Sequence, residues 1–486
     1  MTQGRAAIAL FGLFAAIYIF TARGYLSTYD YYNRFLVTRS IVERGAIDIP
    51  PRVRTVEAPD GRHYSPYSLG ESIAFIPFYL LGREIADRFD FGPAELVEQA
   101  ASSLVFPLAT AGGVALLFVI ARTGLGATRK RSLAVAFTYG LSTPAWPYSK
   151  WHNEQPLETF FLLLTIAILC NASSAKSFSR AGWAITATLF CRIASCIAIP
   201  GLLWLGSASA PAEKRRRAFG RMLLPVSLLM AVVALLNAVR FGSPFAFGYG
   251  EIAEELASPL PVGALGLLLS PGRGFLLFVP TALLLPLAWR RGFSRSYLAR
   301  PFACIAFTYL VLYGSFSAWY GTEAWGPRYL IPLVPLSVLP LACLDGRGLD
   351  RALWIALALL GGLSQLPPLT ASPSRYYARI DALVAEGHAV DPLYDPRLSP
   401  LVLQWPEAFA VVSGSAQSSA EEPDPGDPVK SEFHELATLS PNFWWIYAPR
   451  LGAPVPLVAL LLGLLALTAF GSVRVLKRWV REAPDG

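Results

Sequence analysis

The residues in this sequence that could do chemistry are carboxylates set beside aromatic rings and cations at the ends of apolar stretches. Asp30 lies in STYDYYNRF (27–35), next to Tyr29, Tyr31, Tyr32 and Arg34. It follows the apolar stretch 6–22 by about two helical turns. A carboxylate there can take a proton from an acceptor hydroxyl while a membrane-bound donor presents the reacting carbon. The same residue can also serve as a helix cap or a solvated acid. SKWHNEQPLETFF (149–161) packs Lys150, His152, Glu154 and Glu158 into nine residues between two apolar stretches. Such a cluster is costly at a membrane boundary unless it is solvated or functional. Glu154 and Glu158 are four apart, so a helix starting near Pro156 stacks them on one face. One acid can act as base while the other positions the acceptor or shares its proton.

Cations and phenols accompany these acids. APDGRHYSPYSLGESIAFIPFYLLG (58–82) carries Arg62, His63 and Tyr64, which at headgroup depth can hold a lipid phosphate or anchor the chain. LLLSPGRGFLLF (267–278) sets Arg273 between Gly272 and Gly274 at the head of an apolar stretch, with room for close backbone approach. AWYGTEAWGPRYLIPLVP (318–335) offers Glu323 and Arg328. An arginine at the outer end of a span needs an anionic partner, either a phosphate or Glu323.

The elements that must position these residues are membrane spans. Of the 486 residues 54% are hydrophobic and only 15% charged, a balance with which a soluble globule would aggregate. Apolar stretches of roughly 20 residues, enough to cross the bilayer core, fall at 6–22, 98–121, 131–149, 156–173, 221–239, 273–289, 297–316, 329–345, 351–370 and 453–473. The first is read as a permanent span, because Arg23-Gly24-Tyr25 follows it in place of a small-residue cleavage site. Residues 181–206, interrupted by Arg192 and Pro200 between basic flanks, read as a hairpin of short or re-entrant helices. The stretch 69–82 contains Glu71 and Pro77 and is too short for a comfortable span.

Charge fixes the orientation. With 69–82 on the outer surface, every basic loop falls in the cytoplasm, as do both termini. Those cytoplasmic segments hold 22 Lys and Arg against 5 Asp and Glu, net +17, and the rest 19 against 28, net −9. The overall +8 is therefore explained by topology, and no nucleic-acid partner is needed. All four histidines and nearly all the chemically useful acids lie on the extracytoplasmic side, which lacks soluble nucleotide. The five cysteines sit in apolar segments and read as buried thiols. The organisation expected is a transmembrane region over 1–370, whose first outer loop (24–97) holds juxtamembrane helices. An extracytoplasmic loop follows over 371–452, with a helix near 376–386 and a disordered stretch near 413–430. The last span and a basic tail complete the chain over 453–486. Trp444, Trp445 and Tyr447 in NFWWIY (442–447) read as interfacial anchors.

The order of a first span, Asp30, a GRHYSPYSLG segment, HNEQPLETFF, an interrupted hairpin, SPGRG and WGPRYLIPLVP resembles the bacterial lipid-carrier-dependent glycosyltransferases of the GT-C fold. That superfamily includes protein mannosyltransferases and the aminoarabinose transferases of lipid A. The resemblance covers roughly residues 1–370. It implies an all-α polytopic membrane protein of about 10–12 transmembrane helices. It also implies inverting transfer from a polyprenyl-phosphate-linked sugar to an envelope acceptor (lipid, glycan or protein) at the outer face of the plasma (inner) membrane. The family's first acid falls on Asp30 and its second on Glu154 or Glu158. The lysine that many relatives use for the carrier phosphate is replaced by Ser65, or at best Arg62, and Lys150, Arg273 and Arg328 are the substitutes available. With Arg34, His63, Tyr64, His152 and Glu323 these form the expected donor-phosphate and substrate-binding set. No DxD pair stands at Asp30, so no metal ligands are assigned, although some relatives need a divalent cation. The competing readings are a transporter or lipid-linked-saccharide flippase, which should show repeats and ionisable residues at mid-membrane, and a non-enzymatic assembly partner docking through 371–452.

Overall fold

The computed structural model describes residues 2–26, 29–151, 153–248, 256–322, 324–345, 347–387, 391–416 and 439–482. The chain is an all-α polytopic membrane protein, and the sole strands among the described residues are the short antiparallel pair Val56–Glu57 and His63–Tyr64. Among the described residues, five helical stretches are long and apolar enough to cross a membrane: Gln3–Phe20, Ala94–Gly124, Ala212–Phe241, Gly348–Thr370 and Val455–Arg481. Shorter apolar helices lie at Gln155–Cys170, Ile193–Ser209, Leu260–Leu269, Ala299–Gly314 and Arg328–Cys343.

Several expected spans are broken where their sequence demands it. The stretch 131–149 divides into Arg129–Leu141 and Ala145–Lys150 around Ser142–Pro144, since the residue before a proline is pushed out of the helical region. The stretch 273–289 becomes three pieces, Phe275–Phe278, Pro280–Leu284 and Leu285–Arg291, with prolines at the joints. In 329–345, Pro332, Pro335 and Pro340 produce alternating 3₁₀ and α turns.

Helix α1 (Gln3–Phe20) packs on the last helix, Val455–Arg481, so the two ends of the chain meet. The first outer loop folds into α2 (Tyr29–Arg44), the two-stranded ribbon, α3 (Gly70–Arg88) and α4 (Ala94–Ser103), and α4 runs into α5 (Val105–Gly124). The α3–α4 crossing is close because Gly82 has no side chain: a Cβ there would lie 2.8 Å from the Glu98 Cα.

The interrupted segment is a helical hairpin of short helices, as expected, with legs of 17 and 11 residues meeting at Arg192. Helix α6 (Gln155–Cys170) descends from Glu154, turns over residues 171–174, and returns as α7 (Ala175–Cys191), packed along α6. Helices α6 and α7 are each about 25 Å long. At the tip, Arg192 leaves the helix in an extended conformation, and the chain goes back through Ile193–Ala198 into α8 (Ile199–Ser209), whose Pro200 suits a first turn. Arg192 thus stands beside Glu154, at the turn between α7 and the shorter α8.

In the last outer loop the helix expected near 376–386 spans Pro373–Ala385, and a second, unforeseen helix covers Pro400–Ser413. Most of the stretch expected to be disordered lies outside the described residues. NFWWIY is more than an anchor. Trp444 and Trp445 donate their indole N–H to the Ile19 and Phe20 carbonyls at 2.8 and 3.0 Å, capping the end of α1, and Tyr447 is buried.

Candidate active site

Helix α2 begins with Asp30 in its first turn, where the helix dipole favours an acid. Its next turns turn Tyr31, Arg34 and Thr38 into the protein, and the Thr38 hydroxyl, donating to the Ser72 carbonyl at 2.8 Å, ties α2 to α3. Glu71, in the first turn of α3, meets Arg34 Nε at 2.9 Å. Gly70 makes this docking possible: a Cβ there would sit 2.4 Å from the Phe190 carbonyl oxygen at the hairpin tip.

Glu154 is the hub. Its Oε1 pairs with Arg192 Nη1 and lies 3.5 Å from Arg328 Nη2. Its Oε2 accepts from Arg34 Nη2 at 3.2 Å and from the Tyr31 hydroxyl at 3.0 Å. Both oxygens are thus taken by three guanidiniums and a phenol, an arrangement that satisfies a buried carboxylate. One turn deeper, Glu158 Oε1 accepts from Ser195 Oγ at 2.6 Å and from the Tyr309 hydroxyl at 2.7 Å. Arg192 Nε donates to the Tyr313 hydroxyl at 3.1 Å, and the Tyr313 and Tyr329 rings stack with centroids 4.5 Å apart.

Asp30 stands at the edge of this cluster. Its Oδ1 accepts from the Tyr67 hydroxyl and from Arg54 Nη1, the latter at 2.9 Å. Its Oδ2 has no hydrogen-bond partner among the described residues, and 15% of the side chain is exposed. Burial works to raise the Asp30 carboxyl, but Arg34, the Tyr67 hydrogen bond, Arg54 and Arg328 together hold it below its ordinary value. Glu71 goes the other way. Its burial outweighs the pull of Arg34, Arg192 and Arg328 and raises its carboxyl. Two backbone devices aim the Asp30 partners. Arg54 adopts a left-handed conformation (φ 59°), with Asn33 Nδ2 donating to the Val53 and Arg54 carbonyls at 3.1 and 3.3 Å. Arg240, at the outer end of the helix Arg215–Phe241, clamps the Ser65 and Tyr67 carbonyls.

The structure therefore brings Asp30, Arg34, Glu154, Glu158 and Arg328 together and leaves the other expected residues apart. The Arg62 guanidinium is exposed beside Asp60 at 3.6 Å, and the Tyr64 hydroxyl donates to the same carboxylate at 3.4 Å. His63 Nδ1 lies 3.4 Å from Thr55 Oγ1 within the same ribbon. The Lys150 ammonium is buried, donates to the Leu369 and Asn442 carbonyls and lies 4.4 Å from the Phe443 ring centroid. Burial, helped by Arg23, pulls it well below an ordinary lysine. Arg273 holds the Thr322 and Ala324 carbonyls and the Tyr377 hydroxyl. His152 and Glu323 lie outside the described residues, and the anionic partner found for Arg328 is Glu154.

Glu71, Arg192, Arg54 and Tyr67 join the site without having been singled out. A signal existed for two of them: Glu71 and Arg192 are charges inside apolar segments, which need partners. No group of three or more His, Cys, Asp or Glu able to hold a metal ion occurs among the described residues. Asp30, Glu71 and Glu154 each face guanidiniums, a setting that does not fit a divalent cation.

This helix order, with a site built on a first-loop helix and a later hairpin, is the GT-C fold. Among solved structures, ArnT from Cupriavidus metallidurans in the apo state matches 98% of this chain and 76% of its own, with a TM-score of 0.50 and 14% identity. The same protein bound to undecaprenyl phosphate gives 0.49 over the same shares, again at 14% identity. The oligosaccharyltransferase AglB from Archaeoglobus fulgidus, solved with an inhibitory peptide and a dolichol phosphate, is 10% identical. It gives a TM-score of 0.42 over 75% of this chain and 54% of its own. No protein-family model and no curated protein matches the sequence.

Proposed function

We propose that this chain is an integral membrane glycosyltransferase. It moves a sugar from a polyprenyl-phosphate carrier to an envelope acceptor (a lipid, glycan or protein) on the extracytoplasmic face of the plasma membrane, with both termini cytoplasmic. The observation that carries this reading is the contrast between the acids. Glu154 has both oxygens occupied by cations and a phenol, whereas Asp30 keeps one oxygen without a partner at an accessible edge. Of the acids left open in the sequence, Asp30 is the one placed to act as base.

In the reaction proposed, the acceptor oxygen attacks the anomeric carbon and the bond from that carbon to the carrier phosphate breaks. The acceptor proton passes to Asp30 Oδ2, and the configuration inverts. The charge developing on the leaving phosphate needs cations already in place. Arg328 is suited to this, since its contact with Glu154 is the longest in the hub, at 3.5 Å, and its Nε is buried without a hydrogen-bond partner among the described residues. A small recess of about 40 Å³, lined by Leu69, Leu189, Phe190 and Leu236 with Tyr67 and Arg240 also in its wall, lies beside Asp30 and offers the carrier at most a foothold for the start of its isoprenoid chain. The undecaprenyl phosphate in the ArnT structure is the kind of carrier this recess suits.

The test is Asp30→Asn, which keeps the acceptor for the Tyr67 hydroxyl and removes the base. Purified variant given a polyprenyl-phosphate sugar and an envelope extract should lose about 10²–10⁴-fold in transfer rate while unfolding at the wild-type temperature. Near-normal turnover would sink the assignment.

A further inference from the structure

A cavity of about 310 Å³ lies apart from the carboxylates, on the outer side, between the loop at 320–322, the helix Pro373–Ala385 and the segment 391–393. That volume is at the small end of ligand pockets, about 300–1,000 Å³, and suits one or two sugar rings better than a lipid tail. Its wall combines the rings of Tyr320, Tyr376 and Tyr377 with Ile380 and Leu393. Aromatic faces of this kind pack against the C–H face of a pyranose and leave its hydroxyls free.

Polar groups stand among these rings, and they are uncommitted. The Tyr320 and Thr322 hydroxyls have no hydrogen-bond partner among the described residues. Asp391, also in the wall, spends Oδ1 on the Leu393 and Tyr394 amides, both at 3.1 Å, and leaves Oδ2 without a hydrogen-bond partner among the described residues. Two hydroxyls and a carboxylate oxygen over tyrosine faces match the alternating apolar and hydroxyl surface of a sugar. Arg273, in the same wall, builds the pocket by holding the Thr322 and Ala324 carbonyls and the Tyr377 hydroxyl.

The pocket is also joined to the arginine hub. Thr322 lines it, and six residues later Arg328 reaches Glu154. Six residues span at most about 20 Å. The intervening chain is fixed by Arg273 at Ala324 and by the Tyr148 hydroxyl, which donates to the Trp325 carbonyl at 3.1 Å.

We propose that this cavity is an acceptor-side saccharide subsite, holding a sugar ring of the acceptor while the reacting hydroxyl reaches Asp30. The inference rests on the glycosyltransferase reading and narrows its acceptor to a glycan-bearing molecule. It is tested by saturation-transfer NMR on the full chain in nanodiscs, with methyl glycosides of glucose, mannose, galactose and arabinose as probes. At least one glycoside should take saturation from the tyrosine rings. Tyr320→Ala should reduce the transfer about fivefold, and Tyr320→Phe, which keeps the ring, should retain most of it. Asp30→Asn should leave it unchanged. No saturation of any glycoside, equal saturation in Tyr320→Ala and wild type, or saturation of an unglycosylated peptide in their place would overturn the subsite. Because binding is read without turnover, a wild-type chain that binds glycosides but consumes no lipid-linked sugar would fail the catalytic reading alone.

Discussion

At the residue scale, the site separates acids of the same formal type by what surrounds them. Glu154 is the anion that lets Arg34, Arg192 and Arg328 come together in a buried place. Glu154→Gln would leave those guanidiniums facing one another, and losing one side of a buried pair costs about 3–5 kcal/mol. Thermal unfolding in one detergent should therefore separate a destabilised Glu154→Gln from a stable Asp30→Asn. Asp30 answers to pH. Its carboxyl is held below the ordinary aspartate value, so it stays charged at neutral pH, and the rate should fall only as pH drops through that depressed value. Removing Arg54 takes away one cause of the depression. In Arg54→Met the acid limb of the rate profile should therefore move upward; an unmoved limb would detach Asp30 from the rate. Asp30 was legible because an acid among tyrosines after a span is conspicuous. The Glu71 partner, Arg34, lies 37 residues away, a pairing that no local pattern encodes. Lys150 carries the charge a phosphate site wants, but burial commits it to backbone carbonyls.

At the element scale, the site depends on α3 sitting directly on the tip of the α6–α7–α8 hairpin. The contact is backbone on backbone, because Gly70 places no side chain between itself and Phe190. Backbone cannot swing aside as a side chain can, so Gly70→Val should lift α3 and separate Glu71 and Arg34 from Arg192. We expect transfer to fall at least about tenfold with reduced thermal stability, as large overpacking does, and Gly82→Val to disturb the α3–α4 crossing instead. Helix positions were readable from hydropathy, and the long helices Ala94–Gly124 and Val455–Arg481 fall where apolar runs lie. The hairpin was readable only in part. A charge inside an apolar run gave no sign of its partner, and the ion pair from Arg192 to Glu154 supplies it.

At the scale of the whole molecule, the segments that the charge pattern reads as cytoplasmic are strongly basic and the remainder acidic, and the residues that could do chemistry gather at one end of the bundle. The chain closes on itself there. The Lys150 ammonium grips the end of one helix at Leu369 and the re-entering chain at Asn442, Trp444 and Trp445 cap α1, and the last helix lies along α1. Apart from the contact at Leu369, these grips join residues after 438 to residues before 417. In mechanical terms residues 439–482 form a part that interlocks with the rest through contacts as well as through the covalent chain. Fragments 1–416 and 439–486 expressed together should co-purify as a stoichiometric pair that still transfers sugar, whereas Lys150→Met or Trp444→Ala should let the smaller fragment fall away.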